Sequence, residues 1–521
     1  MKNIKTNLLN SLIVISLLLV PLACEEYLEE DLRDALSPAT FYNNDNEAEI
    51  AVNGAYALLT HNNFYKSRDW TMWMQMGTDE SSASRNIFPE GHNYTYGEGV
   101  RDGEALWNVL YEIVRNTSSA ITNMDGNANL SQTIQDQSVG QMLMIRALAY
   151  YELTRIWGDV PYFRELLAPA ELAELTRTPI NTIRTDMKAD LERAYSLLPS
   201  TYSGSENQGR FTKWAAMSLK AKYHLFDNEW AETLAACLDV INNSPHTLMA
   251  NFEDVYNWRG TTPASPAKAE HILWIDFAGI SGNGVVGSPL ARSNQMYEEF
   301  NPRLRDEPLN KGEKNALKAA LAANGDALTG YGARVPLPDL ADQANWQAGD
   351  LRYDATITQS YEGIALKFPY FNKLWNLNQS STIRGDRHEN FVMIRLADIY
   401  LMAAEAQNEI SGPDNAYQYV NKIRERAFEP DQPLSGMTQE SFRLAIRDER
   451  KFELCGENHR KQDLIRWGIL IETVQNTTHR KHNTVAKTNI KPHHVKAPIP
   501  LAEILRNPKL LETDPTNNGY R

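Results

Sequence analysis

Two pairs of amphipathic helical segments, each joined by a short connection, constrain this chain more than any other feature. Residues 213–226 and 229–243 form one pair and residues 393–409 and 414–427 the other, with apolar side chains recurring at three- and four-residue spacing. A helix with one apolar stripe must bury it against a neighbour, and a short connection supplies an antiparallel one. Further periodic segments at 45–60, 137–157, 184–198 and 438–454 extend the pattern to both ends of the chain. Small residues alternate with large ones in Met144-Ile145-Arg146-Ala147-Leu148-Ala149-Tyr150-Tyr151, which lets neighbouring helices approach closely. The alanine-rich hairpins read as tetratricopeptide-like units set apart by long insertions, without the full consensus of that repeat. The expected fold is therefore mainly α, a helical-hairpin scaffold with a large loop-rich insertion and short β elements. The scaffold covers 41–250 and 390–470. Between 251 and 390, Gly, Pro, Asn and aromatic residues crowd the chain, and only HILWIDF (271–277) alternates as a strand would.

The first 23 residues are expected to be a signal peptide of the lipoprotein type. Lys2 and Lys5 precede an apolar run from Leu12 to Ala23, which is too short to span a bilayer and is followed by Cys24 and the acidic string EEYLEED. Leu22-Ala23-Cys24 resembles a bacterial lipobox, so Cys24 is the expected site of lipidation, with residues 24–40 as a tether and 41–521 as a single body. An ordinary secreted protein with an incidental cysteine is the alternative. Acyl chains contribute roughly 0.8 kcal/mol per buried methylene, enough for several of them to anchor a body that has no spanning helix.

With 52 basic and 66 acidic side chains the formal charge is −14, which argues against general nucleic-acid binding. The three cysteines, at 24, 237 and 455, cannot build a disulfide framework or a cysteine-rich metal site. Gly282-Asn283-Gly284-Val285-Val286-Gly287 fits a dinucleotide-binding pattern, yet Pro289 and the lack of a βαβ context deny it the helix that would receive a pyrophosphate. Asn43-Asn44-Asp45-Asn46-Glu47 could supply oxygens to calcium, but immediately before a helical pattern it reads as a cap. His479, His482, His493 and His494 lack the carboxylate or cysteine company of a metal site. No cofactor and no metal are expected. Carboxylates are plentiful and nothing singles out a glycosidase-like pair.

Aromatic residues stand out instead: 11 Trp, 23 Tyr and 15 Phe, many of them in polar, loop-like stretches. Between Gly77 and Tyr96, Phe88, His92, Tyr94 and Tyr96 lie among Ser, Asn and Gly. Rings beside amides and hydroxyls suit sugars, whose C–H faces stack while their hydroxyls need donors and acceptors. Such rings can equally pin a long loop to the body. Trp258, Trp346, Tyr370 and Trp375 form a second candidate set. Arg85, Arg101, Arg480 and Lys481 leave an anionic polysaccharide open.

Seven pieces in order carry a family resemblance: FYNNDNEAEIAVNGAYALL (41–59), IRALAYYELTRIWGDVPYF (145–163), GRFTKWAAMSLKAKYHLF (209–226), MIRLADIYLMAAEAQNE (393–409), VNKIRERAF (420–428), IRDERKFELCGENHRKQDLIRWG (446–468) and APIPLAEILRNPKL (497–510), before a closing Gly-Tyr. With them the chain resembles the SusD/RagB family of outer-membrane nutrient-binding lipoproteins. The resemblance implies a protein that binds glycan, or peptide, outside the cell and passes it to a SusC-like TonB-dependent transporter, without catalysis. It also implies attachment to the outer membrane, facing the exterior, through the lipid on Cys24. A secreted carbohydrate-active hydrolase and a surface adhesion protein are the competing readings. Within the motifs, Gly158 and Pro161 should stop a helix, and Arg395, Asp398, Glu405, Arg447, Glu449, Arg450 and Glu453 are expected in buried structural ion pairs rather than in catalysis.

Overall fold

The helical hairpins continue one another in space even where the sequence separates them. In the computed structural model, which describes residues 41–65, 68–204, 207–256, 269–277, 294, 299–303, 307–323, 330–374 and 389–521, residues 44–521 form one compact unit. Helix α1 (Asp45–Leu59) and the short α2 (Arg68–Met74) lead through α3 (Pro89–Asn93) into the long pair α4 (Arg101–Met124) and α5 (Gln132–Trp157). There follow α6 (Ile180–Leu197), α7 (Lys213–Phe226) and α8 (Trp230–Asn243). Each of these long helices packs on the next: α4 on α5, α5 on α6, α6 on α7, α7 on α8. Helix α8 then packs on α10 (Leu396–Ser411), about 150 residues later, and α10 on α11 (Tyr417–Ala427) and α12 (Gln439–Glu453). Residues 244–395 are therefore looped out of an uninterrupted stack.

A two-stranded antiparallel ladder closes that loop. Strand β2 (His271–Ile275) pairs with β6 (Phe391–Arg395), so the insertion returns to within one strand spacing of where it left. The other ladders join β1 (Ser81–Ser82) to β3 (Val335–Pro336) and β4 (Ile357–Tyr361) to β5 (Ile364–Phe371). The helix expected over 393–409 thus gives up its first three residues to a strand and begins at Leu396. Arg395, at φ −125° and ψ 164°, is still extended because its backbone is in the ladder. Besides several short helices, two of more than ten residues were not anticipated. Helix α4 has Gly103 near its start and Asn-Thr-Ser-Ser near its end, which weakens its propensity, and it is held by burial of one face against α5. Helix α9 (Lys311–Ala323) lies within the region expected to be loops and short elements.

Local expectations hold elsewhere. The Asn44 side chain accepts the Glu47 amide at 3.1 Å and caps α1. Gly158 ends α5 with φ +79°. Cys237 and Cys455 are buried free thiols, and burial raises the pKa of both. No described helix is long and apolar enough to cross a membrane. Cys24, Trp258, Trp375 and the glycine-rich 282–287 lie outside the described residues.

Arg447 is only half-buried and lies over the Trp467 ring at 5.2 Å, but the other family-motif charges form buried networks. Fully buried Arg395 meets Glu270 at 2.6 Å, Glu453 at 2.7 Å and Glu457 at 2.8 Å. Arg450 bridges Asp398 at 2.9 Å and Asp463 at 2.8 Å, and Arg466 reaches Glu405 at 2.5 Å. Burial opposes ionisation of Glu457, but Arg395 and Lys373 outweigh it and bring the carboxyl down to about 2. Arg395 belongs to β6, Glu270 adjoins β2, and Glu453 ends α12, so this cluster ties the root of the insertion to the helical stack.

Candidate functional site

The segment from Gly77 to Asp102 folds into a pinned loop whose rings mostly face inward. Gly77 adopts φ +77°, and a Cβ there would lie 2.7 Å from the ring of Tyr94. The Tyr94 hydroxyl donates to the Gly77 carbonyl at 2.6 Å. Phe88 and Tyr94 flank α3 in left-handed conformations, φ 52° and 54°, and so turn the chain sharply on both sides of that single turn. The result sends His92 and Tyr94 into the body and leaves Phe88 half-buried. Tyr96 packs edge-on against Trp73 at 4.9 Å, and Tyr94 and Tyr96 both meet His494, at 5.2 and 5.3 Å.

His92, Tyr94 and Tyr96, three of the expected ligand-stacking residues, are thus at most 6% exposed. Although Tyr96 contributes to the lining of the surface cavity described below, little of their ring surface is open in this conformation. The same holds for two of the second set. Trp346 is buried against Phe452 at 4.4 Å and donates to the Leu340 carbonyl at 2.8 Å, and fully buried Tyr370 donates to Glu307 at 2.6 Å. Several polar residues of the same segment, Ser82, Ser84 and Asn93, are buried as well, while Asn86, Glu90 and Thr95 are exposed. Ser82 donates to Asn483 at 2.5 Å and Ser84 to the Gly332 carbonyl at 2.7 Å, so the hydroxyls of these two serines are satisfied inside the protein.

What the loop does leave at the surface is a cavity of about 790 Å³. Phe88 stands in its wall with Asn86, Glu90, Arg101 and Asp102, and Gly97 and Gly99 also line it, each with open space where a side chain would be. A half-exposed ring beside an amide, two carboxylates and a guanidinium makes a mixed, nearly charge-balanced surface. Arg480, by contrast, lies over Phe368 at 5.0 Å and donates to the Pro336 carbonyl at 2.9 Å, so it is spent on structure. No group of three His, Cys, Asp or Glu able to hold a metal occurs among the described residues. His479 and His482 instead contact the carbonyls of Val474 and Ala83, each at 2.8 Å.

Buried charge supports the loop from beneath. Lys461 donates to the carbonyls of Met76 at 3.1 Å and Met72 at 3.3 Å, at the C-terminal end of α2, and burial brings its pKa down to about 7. Beside it Arg460 grips Asp79 at 2.8 Å. Burial pushes Glu80 up to about 8, although the Gly456 amide donates to it at 3.2 Å.

Comparison with known proteins agrees with this architecture. The model of the SusD family matches residues 287–520, and a second, described as starch-binding associating with outer membrane, matches residues 26–225. SusD-like protein P25 of Formosa agariphila is 40% identical over 533 residues, which cover 98% of this chain and 99% of that one. The chain belongs to the SusD family. Among solved structures, a SusD homolog from Bacteroides thetaiotaomicron superposes with a TM-score of 0.78 at 19% identity, over 91% of this chain and 97% of its own. A laminarin-binding SusD-like protein does so with a TM-score of 0.73 at 21% identity, over 89% and 98%. The looped-out insertion and the stacked hairpins are thus a SusD fold.

Proposed function

We propose that this SusD-family protein captures a glycan at the cell surface and delivers it to a SusC-like TonB-dependent transporter. The observation that carries the reading is the cavity of residues 86–102, where the one accessible ring of the loop, Phe88, stands among amide, carboxylate and guanidinium groups. An aromatic face with planar hydrogen-bonding groups around it is the chemistry that sugar recognition requires. Family membership and the laminarin-binding neighbour support a saccharide ligand. Function by binding requires no bond-breaking residue. Attachment through a lipid on Cys24 would hold the body at the outer membrane without a spanning helix.

The test is titration calorimetry and affinity electrophoresis of the soluble mature chain with laminarin, starch and a wider polysaccharide panel. Binding that weakens in Phe88→Ala supports the reading. A chain that binds no polysaccharide, or one that releases new reducing ends on incubation, overturns it. Co-purification of the lipidated protein with a TonB-dependent barrel tests the delivery step.

A further inference from the structure

A second cleft, of about 360 Å³, opens farther along α4. Its floor is aromatic, with half-buried Tyr111 as the accessible ring and Trp107 and Phe163 buried beside it. Trp107 and Tyr111 lie 4.8 Å apart, and Tyr111 and Phe163 are near-parallel, 24° apart, at 6.1 Å. Tyr111 is fixed in place by donating to the Pro161 carbonyl at 2.7 Å. The opposite wall comes from the C-terminal region, through Glu503 on α13 (Leu501–Arg506) and Asn507 just beyond it. Asn507 donates to the Leu175 carbonyl at 2.7 Å and so holds the third side of the cleft in position. The cleft is built from three separate stretches of chain, each tied by a hydrogen bond or by packing, and its volume is at the small end of the range for ligand sites.

Its relation to the first cavity is what gives it meaning. Arg101 lines the first cavity; Asn108, Glu112 and Arg115 line the second. All four are exposed, and their spacing of seven, four and three places them along one face of α4. From Arg101 to Tyr111 the helix rises about 15 Å, the reach of a short oligosaccharide segment. The exposed face of one rigid helix therefore runs from one aromatic-and-polar hollow to the other, carrying amide, carboxylate and guanidinium groups between them.

We propose that the Trp107–Tyr111–Phe163 cleft is a second saccharide subsite, and that α4 bears a long glycan gripped at both ends. The inference rests on the glycan-binding reading above and narrows it to chains long enough to bridge the two hollows, in preference to disaccharides. Two points of contact on one chain raise affinity through effective concentration with no new type of contact. Burial raises the pKa of Glu503 above the ordinary carboxyl value, in keeping with a cleft that excludes part of its water. Exposed Leu505, on the same short helix, would suit a protein occupant instead, and the experiment separates the two.

Laminarin and starch, with the disaccharide of each, are titrated against the intact mature chain, Tyr111→Ala, the rim variant Asn108→Ala/Glu112→Ala and Phe88→Ala. The rim variant alters only exposed side chains and guards against a folding defect in Tyr111→Ala. The expected result is a polymer affinity about tenfold lower in both cleft variants with disaccharide affinity unchanged, while Phe88→Ala weakens both. Unchanged polymer affinity in both cleft variants overturns the second subsite and leaves glycan capture standing. Equal loss of polymer and disaccharide affinity overturns it as well, because the cleft would not be separate. Cleft variants that keep all glycan binding but lose a co-purifying membrane protein assign the cleft to a protein partner. Absence of binding by the parent chain to every polysaccharide overturns both readings together.

Discussion

The hydroxyl of Tyr94 donates to the carbonyl of Gly77 at 2.6 Å, and so closes the loop on which the candidate ligand cavity is built. Both groups are buried, so removing the donor leaves a carbonyl without its partner. Tyr94→Phe is expected to destabilise the protein by about 1–2 kcal/mol, read as a shift in denaturant midpoint at unchanged slope. Gly77→Ala should cost more than that, because it combines a positive φ with a Cβ placed 2.7 Å from the Tyr94 ring. If Gly77→Ala proves as stable as the parent, the loop is not held in this way.

Phe88 is the accessible ring of the same segment, and its removal should separate binding from stability. Phe88→Ala is expected to weaken polysaccharide binding roughly tenfold, the loss of about 1.4 kcal/mol of contact, while the midpoint of unfolding changes little. Tyr96→Ala should behave in the opposite way: its ring is packed on Trp73 and His494, so stability falls first. Calorimetry beside thermal melts of the two variants distinguishes these outcomes.

Arg395 meets three buried carboxylates, and its loss would leave Glu270 to Arg426, Glu453 to Arg352 and Arg426, and Glu457 to Lys373, each short of one buried partner. Arg395→Ala is expected to destabilise by about 3–5 kcal/mol, or to prevent folding, whereas removing an exposed pair such as Lys422–Glu425 should cost under about 1 kcal/mol. Because Arg395 ties the insertion to the stack, limited proteolysis of a marginally stable Arg395→Lys should cut first within 244–395. Uniform cleavage across the chain would contradict that assignment.

Stability should fall with rising pH on account of Glu80. Its folded-state pKa is raised from 4.5 to about 8, so the folded chain holds the proton more tightly than the unfolded one. The associated stability is fully present below about pH 4.5 and is lost as the pH rises toward 8. Lys461 has the reverse sign in a higher window: its pKa falls from 10.5 to about 7, so its contribution is present above 10.5 and is lost as the pH falls through 7. Glu80→Gln should therefore lose less stability than the parent between pH 5 and pH 8 in chemical denaturation. Parallel curves for the two proteins would remove Glu80 as the titrating group.

Much of the scaffold was legible in the sequence, because burial of one helical face imposes a period that needs no knowledge of the partner. The limits of α7 and the cap and stop of α1 and α5 follow from local rules about apolar spacing, Asn44 and Gly158. Helix α4 was not legible, since its propensity is poor and its stability comes from α5. The boundary at Leu396 was hidden for a similar reason, because the preceding residues are claimed by a strand 120 residues away.

By itself, then, the sequence determined the helical-hairpin class and the family, which depend on periodicity and on short motifs, whereas the motif charges found their partners across the fold, as Arg395 does in Glu270. Only the tertiary structure decided which aromatic rings are open to a ligand. Phe88 and Tyr94 lie six residues apart in equally polar surroundings, yet the left-handed turns around α3 leave one at the surface and bury the other beneath His494 and Lys461. Exposure of a ring is set by what packs on it from distant parts of the chain. No local pattern of residue types carries that information.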